Sequence, residues 1–192
     1  FPFLWLLQMS VKPTADINVF PPRLLFTPTG AHYRALWEGA FPVSLWNSTV
    51  VSATTTLLAL CVGVPAAFAL SRARFRHEGA IAFWILATRM APPIAFTLPY
   101  FLISLHLDLL DTRLGLVVIY LTFNLSLVIW MMRSFFDATP RSLDEAAWID
   151  GASVWQGFVR VTLPLATPGI TATAILCFLF SWNDFFFALI LT

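Results

Sequence analysis

Apolar runs alternate with short polar interruptions along the whole chain. Residues 1–9 are apolar but number only nine, well short of the roughly 20 that cross a bilayer as a helix. They carry no basic flank and no small-residue cleavage site, and so predict the end of a membrane helix rather than a leader. Residues 10–42 are polar, with Pro13, Pro21, Pro22 and Pro28 among Lys12, Asp16, Arg23, Arg34 and Glu38. Prolines at this density predict an extended external segment, with a short helical turn from Tyr33 to Glu38. No residue between Glu38 and Arg72 is charged, which predicts a membrane helix over residues 46–70, bent in its last turns by Pro65. Thr54, Thr55, Thr56, Gly63, Ala66, Ala67 and Ala69 are small enough to let a second helix approach closely.

Three more spans are predicted, over residues 80–105, 114–133 and 168–192. The first contains Arg89, Pro92, Pro93 and Pro99. An arginine in the bilayer costs about 2.5–3.5 kcal/mol on insertion scales, so it must snorkel, pair or face a polar interior. The tandem prolines predict a broken or kinked helix, either architectural or lining a pathway. Residues 106–113 form a polar turn, and the run that follows ends at Arg133. Thr167 and Pro168 have the residue types of an N-cap and a first helical position, predicting a last helix that continues to the chain end.

The longest polar interruption in the second half, residues 137–164, predicts two short helices joined at a glycine, a helical bracket between two spans. Ser142 and Glu145 have capping-box spacing, and Asp144 adds negative charge near the same positive helix end. Gly151 falls where a left-handed residue would end the first helix, and Ser153 with Gln156 repeats the box for the second.

Composition explains which solvent these runs face. Hydrophobic residues make up 59% of the chain and charged ones 11%, against about 25% charged in a soluble domain. The expected fold class is therefore all-α, a polytopic transmembrane helical bundle forming one domain over residues 1–192. A net charge of +1 gives no global attraction for nucleic acid. Arg72, Arg74, Arg133, Arg141, Arg76 and Arg160 fall on the bracket's side of the membrane, against Lys12, Arg23, Arg34 and Arg113 on the other. The compact patch at 72–76 places the bracket in the cytoplasm. Cys61 and Cys177 sit within apolar runs and read as packing residues.

Glu145-Ala146-Ala147, three residues, Gly151, nine residues and then Val161-Thr162-Leu163-Pro164 resembles the EAA loop of binding-protein-dependent ABC importer permeases, with Val161 where that pattern has Ile. TRMAPP at 88–93, FNLSLVIWMMRSFF at 123–136, LPLATPGI at 163–170 and SWNDFFFALILT at 181–192 resemble the maltose-type carbohydrate branch, and its second permease subunit in particular. The resemblance implies a type I importer permease of six helices, of which this sequence holds the end of the first and the next four, stopping before the sixth. It implies a bacterial-type inner (plasma) membrane, a homologous permease subunit, two cytoplasmic ATPase subunits and an extracytoplasmic solute-binding protein as partners, and a carbohydrate substrate. It also implies that Glu145, Ala146, Ala147, Asp150, Gly151, Leu163 and Pro164 couple to the ATPase, the glutamate pairing with an ATPase arginine.

Enzymatic chemistry has no foothold in the sequence. The only lysine, Lys12, follows no Gly-x4-Gly, so ATP and magnesium are expected in partner subunits, with no cofactor and no metal on this chain. His32, His77 and His106 are scattered, and Trp148 and Trp155 would equally suit a loop resting at the lipid interface. Arg89, Asn183, Asp184 and Phe186 are the candidates for the translocation pathway. Asn183 and Asp184 lie about 21–24 Å along their helix from Pro168. For Asp184 the other reading is a helix-end acid meeting water or Arg113; for Phe185, Phe186 and Phe187 it is packing against lipid. The alternatives to a sugar permease are an ABC permease for a polyamine or amino acid, an ion-driven secondary transporter, and an intramembrane enzyme.

Overall fold

The computed structural model describes residues 1–72 and 76–192, so Arg74 of the basic patch lies outside the described residues. Every regular element among the described residues is helical, and the chain divides into two units, residues 1–47 and 48–192.

The first unit contains α1 (Pro2–Ser10), α2 (Thr14–Ile17) and α3 (Ala31–Glu38). Its polar residues are stitched together more tightly than a scattered, extended surface segment would be. Lys12 is 1% exposed, donates from Nζ to the Arg23 carbonyl at 2.6 Å and lies 5.4 Å from the centre of the Phe26 ring. The Tyr33 hydroxyl donates to Ser10 Oγ at 2.8 Å. Hydrogen bonds from a buried cation and a phenol therefore organise a stretch whose prolines suggested only extension.

The second unit is built around two long helices, α4 (Phe41–Arg72) from residue 48 onward and α7 (Arg113–Ala138). Their 32 and 26 residues reach about 48 and 39 Å at 1.5 Å per residue, enough to cross the roughly 30 Å hydrocarbon layer. Both run past the expected limits, and α4 remains one helix across Pro65. Arg133 does not end α7; it reaches Asp137 one turn on, with Nε 3.5 Å from a carboxylate oxygen. The buried face of α4 includes Ser52, Thr55, Thr56, Ala59, Gly63 and Ala67 at helical spacing, whereas Thr54 and Ala69 are exposed. At Gly63 a side chain would put Cβ 2.6 Å from Val128 Cγ1, so only glycine lets α4 lie this close to α7.

The expected span over 80–105 is two helices, α5 (Glu78–Met90) and α6 (Pro93–His106), meeting at 90° across Ala91 and Pro92. Ala91 is extended because the following proline disfavours helical backbone there. The C-terminal span is also divided. The bracket comprises α8 (Ser142–Ile149), α9 (Val154–Gly157), a π-helical turn (Phe158–Thr162) and α10 (Leu163–Leu165), and it leads at a 75° bend into α11 (Thr167–Asn183). The chain then breaks at Asp184 and resumes as α12 (Phe186–Leu191), so no single helix runs from 168 to 192. The cause is local: Asp184 has extended backbone and its carboxylate accepts the Phe187 N–H at 3.0 Å, in competition with helical pairing. Thr167 is not the cap expected of it. Ala166 holds that position, and the Thr167 hydroxyl donates backwards to the Pro164 carbonyl at 2.7 Å.

α5 and α11 both pack on α7, and α12 packs on α6 and α7. Two apolar clusters result. One surrounds Phe68, Phe136 and Phe158, whose ring centres lie 4.7–6.3 Å apart, and joins α4 and α7 to the π-helical turn. The other joins Val51, Tyr120, Phe187 and Leu191 near the two helix breaks.

Candidate functional site

The bracket is held in shape by its own turns. α8 begins directly after Pro140 and Arg141, and no side chain caps it, so the Ser142–Glu145 box does not form. Gly151 has φ +87°; the Gly151 N–H reaches the Trp148 carbonyl at 3.0 Å and the Ala152 N–H reaches the Ala147 carbonyl at 2.9 Å. This is the paired 5→2 and 6→1 bonding of a Schellman stop, as the glycine predicts. The second box does form: Gln156 N–H donates to Ser153 Oγ at 3.2 Å and Ser153 N–H to Gln156 Oε1 at 2.9 Å. α9 then folds back on α8, with Gly157 against Trp148 and Ala147.

Adjacent helical residues point about 100° apart, and here that separates two acids. Glu145 is exposed, together with Ala146, Asp150 and Gly151, and is flanked by the exposed apolar side chains of Trp148 and Ile149. Ala147 is half-buried against Gly157, so its small size serves packing inside the bracket. Leu163 packs against the phenylalanine cluster and Pro164 is exposed. Asp144 points inward. Its carboxylate meets Arg72 Nε at 2.7 Å and accepts from the Thr162 hydroxyl. Local spacing marks Asp144 only as a charge at a helix start and leaves Thr162 unmarked, because their partnerships reach across 72 and 18 positions.

A second site lies where the two helix breaks face each other across α7. A cavity of about 240 Å³ is lined by Arg89 and Pro93 from the first break, Tyr120, Phe123 and Asn124 from α7, and Phe180, Ser181, Asp184 and Phe187 from the second. The Arg89 guanidinium lies 4.7 Å from the centre of the Phe180 ring and donates to the Phe123 carbonyl at 3.5 Å. Asn124 Nδ2 donates to Ser181 Oγ at 3.0 Å and to the Tyr120 carbonyl at 2.9 Å, while the Tyr120 hydroxyl reaches the Asp184 carbonyl at 3.2 Å. A cation, a carboxylate, an amide and aromatic faces thus converge on one hollow. Such a lining suits a polar solute that also presents apolar faces.

Of the four pathway candidates, Arg89 and Asp184 meet in this cavity. Asn183 is exposed and turns its amide to the Leu179 carbonyl at 2.8 Å; Phe186 is half-buried against the Phe187 ring and does not line the hollow. Tyr120, Phe123, Asn124, Phe180 and Ser181 are not among the sequence candidates, and Phe187 is weighed there with Phe185 and Phe186 against lipid packing. Asn124 had a legible signal, being the only amide in the apolar run of α7.

Comparison with known proteins assigns the chain. Residues 34–192 match the family model described as binding-protein-dependent transport system inner membrane component. The chain belongs to this family. This permease is 39% identical to a probable ABC transporter permease protein, y4oR, of Sinorhizobium fredii, over 100% of the chain and 69% of that protein. It is 37% identical to the trehalose transport system permease protein SugB of Mycobacterium tuberculosis, over 100% of the chain and 70% of that protein. Among solved structures, a bacterial ABC transporter involved in the import of the acidic polysaccharide alginate superposes with a TM-score of 0.81 at 30% identity, over 100% of this chain and 68% of that one. The chain is accordingly an integral inner-membrane permease subunit of an ABC importer with the fold of that class, and the family is one of membrane permeases rather than catalytic enzymes.

Proposed function

We propose that this permease subunit carries a sugar across the inner membrane and receives the work of ATP hydrolysis through Glu145 and the surface around it. The observation that carries the coupling role is the exposed face of α8: an acid beside bare tryptophan and isoleucine, on a bracket whose turns and buried acid leave it little freedom to yield. A partner ATPase cleft that offers an arginine and an apolar wall fits this face. Closure of two such ATPases would move the bracket as a body and switch the pathway between its inward- and outward-facing forms. The bracket is on the cytoplasmic side, and a second permease subunit and an external binding protein complete the machine.

The sugar assignment rests on the relatives, one named for trehalose and one for alginate import, and on the cavity, where Tyr120, Phe123 and Phe180 offer stacking faces beside Asn124, Arg89 and Asp184. The test uses the assembled importer in proteoliposomes with its binding protein and labelled sugars, amino acids and polyamines. ATP-dependent uptake of a sugar is expected. Glu145→Lys leaves the permease inserted and abolishes both uptake and stimulated ATP hydrolysis; full uptake by that variant sinks the coupling role, and uptake restricted to a polyamine or amino acid sinks the sugar.

A further inference from the structure

One ion pair holds four elements of the permease together at the base of the bracket. Arg72 is the last residue of α4, and Asp144 lies in the first turn of α8. Their side chains are more than nine-tenths buried and meet at 2.7 Å. The same guanidinium donates from Nη1 to the Phe136 carbonyl at 2.9 Å and from Nη2 to the Thr139 carbonyl at 3.2 Å, both at the C-terminal end of α7. The other carboxylate oxygen of Asp144 accepts from Thr162 in the π-helical turn. A second strand of polar contacts runs alongside, from Arg141 to the Ser71 carbonyl at 2.7 Å and from the Ser71 hydroxyl to Asp137 at 2.6 Å.

α8 otherwise rests chiefly on α9 and the π-helical turn, elements of the bracket itself. The polar contacts are what reach from α8 to the two long helices. We infer that Arg72 and Asp144 are positioning residues of transport: they form the clamp through which displacement of the docking face is passed to α4 and α7, and α7 in turn carries Tyr120, Phe123 and Asn124 of the cavity. Stability alone does not account for the pair. A buried ion pair is often replaced by apolar side chains at no loss, because desolvation offsets the attraction. What an apolar pair lacks is direction. A planar guanidinium with donors on four acceptors, the Ser71 hydroxyl at 3.3 Å included, fixes the angle at which the bracket meets the helices, as packed methyl groups would not.

The inference rests on the reading of the exposed α8 face as the ATPase dock, and the experiment separates the two. In the full importer, Asp144→Asn, Arg72→Gln and the paired Arg72→Met/Asp144→Leu are compared with native protein for substrate imported per ATP hydrolysed. Every variant that assembles is expected to retain its ATPase subunits and to lose at least fivefold in this ratio. A purely structural role would lower yield and leave the ratio native, and that result overturns the clamp. The paired variant buries no lone charge, and hydrogen exchange on its permease alone gives a reading independent of assembly. At least tenfold faster exchange in α8, with α4 and the middle of α7 unchanged, is expected, and native α8 exchange overturns the clamp. Glu145→Ala serves as the control for the dock. If it keeps its ATPases and full uptake, the dock is wrong; if it fails while Asp144→Asn imports at the native ratio, only the clamp is wrong.

Discussion

Gly151 offers a test in which backbone strain can be read apart from packing. Its φ of +87° lies where L-residues rarely go, yet a Cβ built on it would meet no atom of the chain within 4 Å. Gly151→Ala therefore adds no clash within the permease. It costs the penalty of left-handed backbone, about 1–2 kcal/mol, or a 5–30-fold rise in the open population of the turn. Asparagine tolerates this region through local hydrogen bonds, and valine does not. Hydrogen exchange on the purified permease reads the effect at the amides of residues 151 and 152, which close the stop at 3.0 and 2.9 Å. Protection should fall about 5–30-fold in the alanine variant and further in valine, and stay near native in asparagine, with uptake ranking Gly, Asn, Ala, Val. Equal loss of protection in alanine and asparagine would refute the backbone argument. Native protection in asparagine with failed uptake would also refute it, since glycine would then be needed for the approach of a partner.

The two serines of the bracket should behave differently although both have box spacing. Ser153→Ala removes a formed box and should cost about 0.5–2 kcal/mol, whereas Ser142→Ala, which removes no cap, should stay within about 0.5 kcal/mol in thermal unfolding of the detergent-purified permease. At the cavity, Asp184→Ala leaves the Phe187 N–H without its acceptor, at a cost of about 1–3 kcal/mol, while Asp184→Asn keeps an oxygen in place. Labelled-substrate uptake should fall more in alanine than in asparagine, and native affinity and rate in the alanine variant would remove Asp184 from the pathway.

The helical class and the membrane setting were legible because they depend on the length and polarity of runs, which no tertiary contact changes. The two breaks differed in legibility. Pro92 and Pro93 announce theirs through a covalent restriction on the residue before a proline, whereas the break at Asp184 arises from one carboxylate choosing a backbone N–H three residues on. An apolar run of this length otherwise reads as unbroken helix. Caps divided in the same way. Ser153 and Ser142 have identical spacing to their partners, and only the backbone at the cap position decided which one accepts a hydrogen bond: Ser153 occupies that position with extended backbone, whereas Arg141 occupies it, already helical, ahead of Ser142.

From composition and near neighbours alone, the sequence determined the helical class, the membrane setting and the glycine stop, since each follows from the polarity of runs or from contacts within a few residues. Tertiary structure alone decided which charges face inward. Lys12 reads as a surface cation and is buried; Asp144 and Glu145 are neighbours with opposite fates; Arg89 and Asp184, 95 positions apart in number, share one hollow. The physical reason is that burying a charge requires a partner from elsewhere in the chain: for Lys12 it is the Arg23 carbonyl in a loop 11 positions on, and for Arg72 and Asp144 it is another helix, where approach depends on side-chain volume at positions such as Gly63. A linear pattern records that volume but not what it will meet.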